Sequence, residues 1–463
     1  MTNALDLPEI LCRIGWFLTT HWKPNKKDPT FFDFHPKDLV ACAQVNRTWR
    51  RVMLPFLWTV YDESRMERWN IPANILQAAS EHFRFISLWT PWPANTVRSQ
   101  HLFELNVAGR ALVTNLQLLH NNPQLKLLRM GFLDSSMYCE IQPAIESLTR
   151  LQSLQLDFLR PVNWDHLTRL FSNNPDLRSL RFNHPLDIMG FEGCEPLTKL
   201  SLLHFNGDWD RNPGILQLIQ LCPRLERLEF PAAGCPVRQL AKILREFCPS
   251  LNAIQCEGGF EEEQEDNAVL LVQTPARLLH LVLTVEPRSM RICDALAGHA
   301  GLESLKLRFR EYNAVNTHIL ATILERCTNL RSIDFVLGYG EVEYPDPQLS
   351  WVDSPWKMPH LEKISLSGLT YPYVSGAMTS ITDPGFRAQS LAAEAKRALA
   401  QSFLDQGWAF DRCSTAGYDD KRISDSARAV RDIVFQRARD SPRMHTIVIE
   451  DFTYVNKSKI PLK

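Results

Sequence analysis

The sequence predicts an α/β protein: a small all-helical N-terminal domain, then a long array of parallel strands with helices on the outer side. Three observations predict it. A short apolar string recurs through the middle of the chain, mostly at intervals of 24 to 28 residues. The text between its copies carries apolar residues at helical spacing. The first 60 residues follow neither pattern and read as short amphipathic helices.

The recurring string is a proline near a helix end, then apolar residues at i, i+3 and i+5. It appears as NPQLKLLRM from Asn122, NPDLRSLRF from Asn174, CPRLERLEF from Cys222, CPSLNAIQC from Cys248 and CTNLRSIDF from Cys327. Looser copies start at Leu151, Leu197, Leu278, Leu302 and Leu361. Residues i+3 and i+5 share one face of a strand. One such unit cannot bury its apolar face alone, whereas stacked units share a continuous core. Between copies, PVRQLAKILREF from Pro236 places Val237, Leu240, Ile243, Leu244 and Phe247 on one helical face, and Asn316 to Cys327 repeats the pattern. Pro213 and Pro236 suit a helix's first turn.

This period and the L-x-x-L-x-L string resemble the leucine-rich-repeat family over roughly residues 80 to 452. The resemblance implies an irregular horseshoe, because the family's asparagine after the strand is mostly missing and the step from Leu177 to Leu197 is short. The stretch Glu261 to Asp266, EEEQED, is expected to be a solvated acidic loop. From Gly368 to Asp440 the period is interrupted; helices are expected near Arg387 to Leu404 and Ser426 to Arg439 before a last strand unit in SPRMHTIVIEDF. Strand alternation puts Arg129, Gln155, Asp157, Arg181, Lys199, Arg227, Glu229, Gln255, Glu257, Lys306, Arg308 and Asp334 on the solvent side of the sheet.

At the N-terminus, Ile10, Leu11, Ile14, Phe17 and Leu18 form one helical face with Pro8 in the first turn. Asp38 precedes a second helix, LVACAQV, and Asn46 leads into a third, RTWRRVMLPFLW, expected to break near Pro55. The order Leu7-Pro8-x-Ile10-Leu11, Asp38-Leu39, Val45-Asn46-Arg47-x-Trp49 and Leu57-Trp58 resembles the F-box motif, interrupted by an insertion at residues 19–35 that holds Trp22, Phe31, Phe32 and Phe34. An F-box followed by leucine-rich repeats implies a substrate-recognition adaptor of an SCF (Skp-cullin-F-box) ubiquitin ligase. The implied domains are residues 1–60, residues 61–452 with an insertion near 368–440, and a tail at 453–463. The resemblance implies that Leu7, Pro8, Ile10, Leu11, Ile14, Leu39, Val45 and Trp49 meet a Skp-family adaptor and, through it, a cullin scaffold, while the repeats hold an unknown protein substrate. A bundle this small buries too little surface to be secure alone, so its apolar excess must meet something. The alternative is a repeat scaffold with no ligase role, whose helices only cap the array.

Composition narrows the function. The 463 residues carry 51 Lys+Arg against 52 Asp+Glu, a net charge of -1, which argues against nucleic acid or an anionic membrane as the main partner. The 11 cysteines include no CxxC pair, and the N-terminus lacks the basic and apolar regions of a signal peptide. No stretch reaches the roughly 20 apolar residues of a membrane span. These features predict free thiols in a reducing compartment, cytoplasmic, nuclear or both. No phosphate loop, nucleophile elbow, H-E-x-x-H or dinucleotide motif occurs, and His280 and His318 are dispersed, so no catalytic site, metal or cofactor is expected. A receptor of this type works by proximity, raising the effective concentration of its substrate.

Overall fold

The structure, a computed structural model, describes residues 7–20, 37–63, 71–90, 99–108, 116–133, 135–158, 167–182, 194–207, 214–259, 264–285, 290–309, 314–337, 357–367, 408–413, 443–449 and 452–456, with short pieces between them. The chain forms two compact units, residues 1–207 with 211–223, and residues 208–210 with 224–463.

Unit one begins with three helices, α1 (Pro8–Thr20), α2 (Lys37–Val45) and α3 (Arg47–Leu57). Between α1 and α2 the insertion contributes a minimal antiparallel pair, β1 (Lys23–Pro24) and β2 (Phe32–Asp33). Asn46 caps α3: its Oδ1 accepts the Trp49 N–H at 2.9 Å. The expected break at Pro55 does not occur. The helix runs on to Leu57, because the Trp58 N–H reaches the Leu54 carbonyl at 3.1 Å and carries the turn past the proline.

Helix α3 leads straight into parallel strands. They are β3 (Val60–Asp62), β4 (Phe85–Leu88), β5 (Glu104–Ala108), β6 (Leu127–Leu133), β7 (Ser153–Phe158), β9 (Ser179–Phe182) and β11 (Leu202–Phe205), paired in that order. Two residue pairs, β8 (Val162–Asn163) and β10 (Leu186–Asp187), form a second small ladder. Helices α4 (Ala73–Ala79), α5 (Gln117–His120), α6 (Ser135–Glu146), α7 (Leu167–Asn173) and α8 (Gly214–Gln220) belong to the same unit.

Unit two continues the scheme with β12 (Arg227–Pro231), β13 (Ala253–Glu257), β14 (His280–Val285), β15 (Ser304–Phe309), β16 (Ser332–Leu337) and β17 (Lys363–Ser367). Its helices are α9 (Val237–Phe247), α10 (Gln264–Val272), α11 (Arg291–Ala297) and α12 (Ala314–Arg326). After β17 comes an antiparallel end: β18 (Trp408–Cys413) and β20 (Phe452–Asn456) pair with each other, and β20 pairs with β19 (Thr446–Ile449), itself parallel to β17. The tail expected over 453–463 therefore begins as a strand. Phe452–Asn456 pairs with β18 on one side and β19 on the other and so extends the sheet. The helices expected near Arg387 to Leu404 and Ser426 to Arg439 fall almost wholly outside the described residues.

One backbone signature recurs along the strand units. The carbonyl just after a leading residue accepts two successive N–H groups of the next unit. Gln152 takes Arg178 and Ser179, Arg178 takes Ser201 and Leu202, and Glu303 takes Arg331 and Ser332. In several units the leading residue's own N–H also closes a turn onto the carbonyl three residues earlier, as in Leu125 to Asn122 (3.0 Å), Leu177 to Asn174 (3.1 Å) and Leu302 to His299 (3.0 Å). By this rule the fourth leucine of the periodic series is Leu200 and not Leu197, since Leu200 N–H bonds to Leu197 O at 3.1 Å. The short step disappears: 177 to 200 is 23 residues and 200 to 225 is 25. Lys199 leaves the sheet face and pairs with Asp176 beside the turn, and His204 takes its place, registered with Arg181. The paired carbonyl bonds, at Thr59, Arg84 and Phe103, add three units before Leu125, led by Trp58, Phe83 and Leu102.

The core follows the i, i+3, i+5 pattern. Leu225, Leu228 and Phe230 are buried, as are Leu154 and Leu156, Leu281 and Leu283, Leu305 and Leu307. Helix α9 buries Val237, Leu240, Ile243 and Leu244 as its spacing predicts. At roughly 1.5–3 kcal/mol per fully buried large apolar side chain, each unit gains stability only when neighbours cover both of its flanks.

Candidate functional site

The three N-terminal helices share a core of Leu11, Leu39, Ala43 and Met53, with Ile14, Leu18, Cys42, Trp49, Val52, Phe56 and Leu57 packed against it. Gly15 sits where α1 meets α3; a Cβ there would collide with the edge of the Phe56 ring. The eight residues expected to meet an adaptor divide three ways. Leu7 and Val45 are 43% and 61% exposed, and Pro8 is exposed as well. Ile10, Ile14 and Trp49 are half-buried. Leu11 and Leu39, at 0% and 1%, are buried in the bundle's own core. Their helical positions, four residues from Gly15 and Ala43, turn them onto the inner face.

Sequence reasoning missed part of this surface. Val40 and Leu54 are each 41% exposed, and Trp16 and Phe17 more than half. Six of the eight large hydrophobics that stand exposed among the described residues lie between Leu7 and Leu54, so the apolar excess is concentrated on this bundle. The signal was present: in LVACAQV, Leu39 and Ala43 already supply the core stripe, which leaves Val40 and Val45 off it.

The solvent face of the strands is polar and largely self-paired. Arg129 Nε donates to Gln155 Oε1 at 2.7 Å, and Gln155 Nε2 donates to Asp157 Oδ1 at 3.2 Å. Unit two repeats this arginine–glutamine–acid relay. Arg227 pairs with Glu229 at 2.5 Å and donates to Gln255 Oε1 at 3.2 Å, and Gln255 donates to Glu257 at 2.8 Å. Glu229 is only 4% exposed although it points from the solvent face. Lys306 and Asp334, registered partners on β15 and β16, pair at 2.5 Å. A cavity of about 20 Å³ beside Arg129, Gln155 and Arg181 has room for little more than one water.

Among the described residues no group of three or more His, Cys, Asp or Glu is placed to hold a metal, and no helix is long and apolar enough to cross a membrane. Ten of the cysteines, Cys413 aside, form no disulfide. Burial pushes the thiols of Cys248 and Cys293 up to about 12 and that of Cys327 up to about 11; Cys235 and Cys256 also move up, for the same reason. Thiolate is the reactive form. A maleimide added to the native chain is therefore expected to label the exposed Cys12 and Cys139 first. Mass-spectrometric mapping that finds Cys248 or Cys293 labelled as fast would contradict the buried placement. No known protein family's pattern matches the chain, and no curated protein matches it either.

Proposed function

We propose that the chain is an F-box/leucine-rich-repeat protein, a non-catalytic substrate receptor of an SCF-type ubiquitin ligase. In this reading the N-terminal helices bind a Skp-family adaptor and through it a cullin scaffold, and the strand units hold a protein substrate. The observation that carries the reading is the concentration of exposed apolar side chains on one small bundle whose motif order, Leu7-Pro8 to Val45-Asn46-Arg47-x-Trp49 to Leu57-Trp58, is that of the F-box. The contact set narrows to Leu7, Pro8, Val40, Val45 and Leu54, flanked by the half-buried Ile10, Ile14 and Trp49.

A repeat scaffold without a ligase role is the second reading. It is favoured by one feature: α3 continues directly into β3, and the Thr59 carbonyl accepts the N–H groups of Arg84 and Phe85 at 2.8 and 3.1 Å, so the bundle closes the first strand unit. Capture of a Skp-family adaptor by the full chain separates the two. Wild type is expected to retain the adaptor. A Leu7→Ala/Val45→Asp variant, altered only at exposed positions, is expected to keep its melting temperature and lose at least tenfold in affinity, since interface anchors cost about 1–2 kcal/mol or more when truncated. Absence of capture by wild type would leave the scaffold.

A further inference from the structure

The residues just before and just after the leading residues form two rows across the strand entrances of unit two. The first row runs Arg277, Gly301, Asn329, His360 and, before Met444, Arg443; the second includes Glu303, Arg331 and Glu362. All of these except Glu362 line a cavity of about 230 Å³. Its lining carries three guanidinium groups, from Arg277, Arg331 and Arg443, against the carboxylate of Glu303, a net charge of +2 with His360 neutral.

These charges differ from those on the strand face. Arg331 lies 3.8 Å from Glu303 and 3.9 Å from Glu362, outside hydrogen-bond distance of both. Among the described residues Arg277 and Arg443 are exposed and have no carboxylate within ion-pair distance. The gap between them has a glycine floor. A Cβ at Gly301 would meet Leu279 Cδ2 at 3.4 Å and Arg277 Cγ and Nε at 4.0 Å, so the Arg277 side chain runs alongside the glycine. Arg277 and Arg443 stand four strand steps apart, from β14 through β15, β16 and β17 to β19. At about 4.8 Å per step that is roughly 19 Å, the length of about six residues of extended chain.

We infer that this rim groove binds an acidic, extended segment of a partner protein, with carboxylates meeting Arg277 at one end and Arg443 at the other. A guanidinium fork matches a carboxylate in two hydrogen bonds. A single phosphate would reach one end only, and the near-zero net charge of the chain gives a nucleic acid no general attraction. The site goes beyond the adaptor reading and stands without it, because it lies in unit two and uses none of the bundle's residues.

The test is fluorescence anisotropy with the full chain and a labelled peptide, Glu-Glu-Gly-Gly-Glu-Glu, at low ionic strength where such pairing is least screened. The peptide is expected to bind and its all-lysine counterpart not. Arg277→Gln combined with Arg443→Gln is expected to weaken binding by about tenfold or more, since a hydrogen bond to a charged group contributes roughly 1.5 kcal/mol or more. Gly301→Glu, which adds a Cβ at ordinary contact distances, is expected to do the same while keeping the wild-type circular dichroism. Arg150→Gln, in unit one, is the control and is expected to change nothing. No peptide binding, binding indifferent to the paired arginine variant, or stronger binding of inorganic phosphate or a single-stranded oligonucleotide than of the peptide would overturn the inference.

Discussion

Replacing Asn174 with leucine is expected to lower the stability of unit one by about 3 kcal/mol, although the two side chains are close in size and the site is wholly buried. The Asn174 side chain makes three hydrogen bonds. Its Oδ1 accepts the Leu151 N–H at 2.7 Å, and its Nδ2 donates to the carbonyls of Leu148 at 2.8 Å and Leu170 at 2.9 Å. Two of these reach back into the preceding unit's turn and one closes α7. Leucine would leave a buried N–H and two buried carbonyls without their partners, and each such group costs about 1–3 kcal/mol. Asn122 repeats the arrangement with Leu102 N at 2.9 Å and the carbonyls of Ser99 and Leu118, both at 2.8 Å, so Asn122→Leu is expected to behave alike. At the equivalent position Cys222 Sγ donates to the Leu218 carbonyl at 3.0 Å, and because a thiol is a weak donor Cys222→Ala is expected to cost about 1 kcal/mol. For a unit of this size, about 3 kcal/mol shifts the melting temperature by roughly 6 to 12 °C. A melt of Asn174→Leu within 2 °C of wild type, at the resolution such shifts allow, would show that the bridging bonds do not hold the units together.

The strings that opened with Asn122 and Asn174 were visible in the sequence, but nothing in them gave their asparagines a role. Side-chain bonds between units are long-range facts, and spacing carries no trace of them. What spacing does carry is the inner face: Leu225, Leu228 and Phe230 are buried where the pattern puts them, because i+3 and i+5 share a side of any strand. The pattern failed where leucine was replaced. Phe83, Ile86 and Leu88, or Leu102, Leu105 and Val107, make the same unit with other apolar residues and no proline. It failed again at LTKLSLLHF, where Leu197, Leu200 and Leu203 fit one period in two frames, and only the turn bond from Leu200 N–H to Leu197 O decides.

The bundle surface was half legible for a related reason. A helical period tells which residues face a core, and Leu11 and Leu39 do. It does not tell which apolar residues a family's partner touches. The motif therefore mixed inner residues with Leu7 and Val45, and it passed over Val40 and Leu54, which no consensus string marked. The rim groove of unit two was invisible, since Arg277, Gly301, Arg331 and Arg443 lie in four different copies and align only when the ladder is drawn.

Gly15→Ala is expected to destabilise the N-terminal bundle, against the direction of helix propensity. Glycine inside a helix costs about 1 kcal/mol relative to alanine, so propensity alone makes the substitution favourable. At Gly15, however, the new Cβ would collide with the Phe56 ring, and the ring is packed against the Leu11, Leu39, Ala43 and Met53 core. Either α1 moves off α3 or the ring leaves the cluster, and forced overpacking of this kind costs about 1–3 kcal/mol. Gly15→Val adds two further methyl groups at the same point and is expected to separate α1 from α3 outright. The paired change Gly15→Ala/Phe56→Leu is expected to recover most of the loss, because leucine has no ring to be struck; contacting residues show coupling of roughly 0.5–3 kcal/mol in such cycles. If Gly15→Ala instead raises the stability of the chain, or if Phe56→Leu adds its own cost without compensation, α1 does not lie on α3 at this point. Leu7, carried on the first turn of α1, would then not share a surface with Val45, and the adaptor-binding face proposed for the bundle would have to be redrawn around α2 and α3 alone.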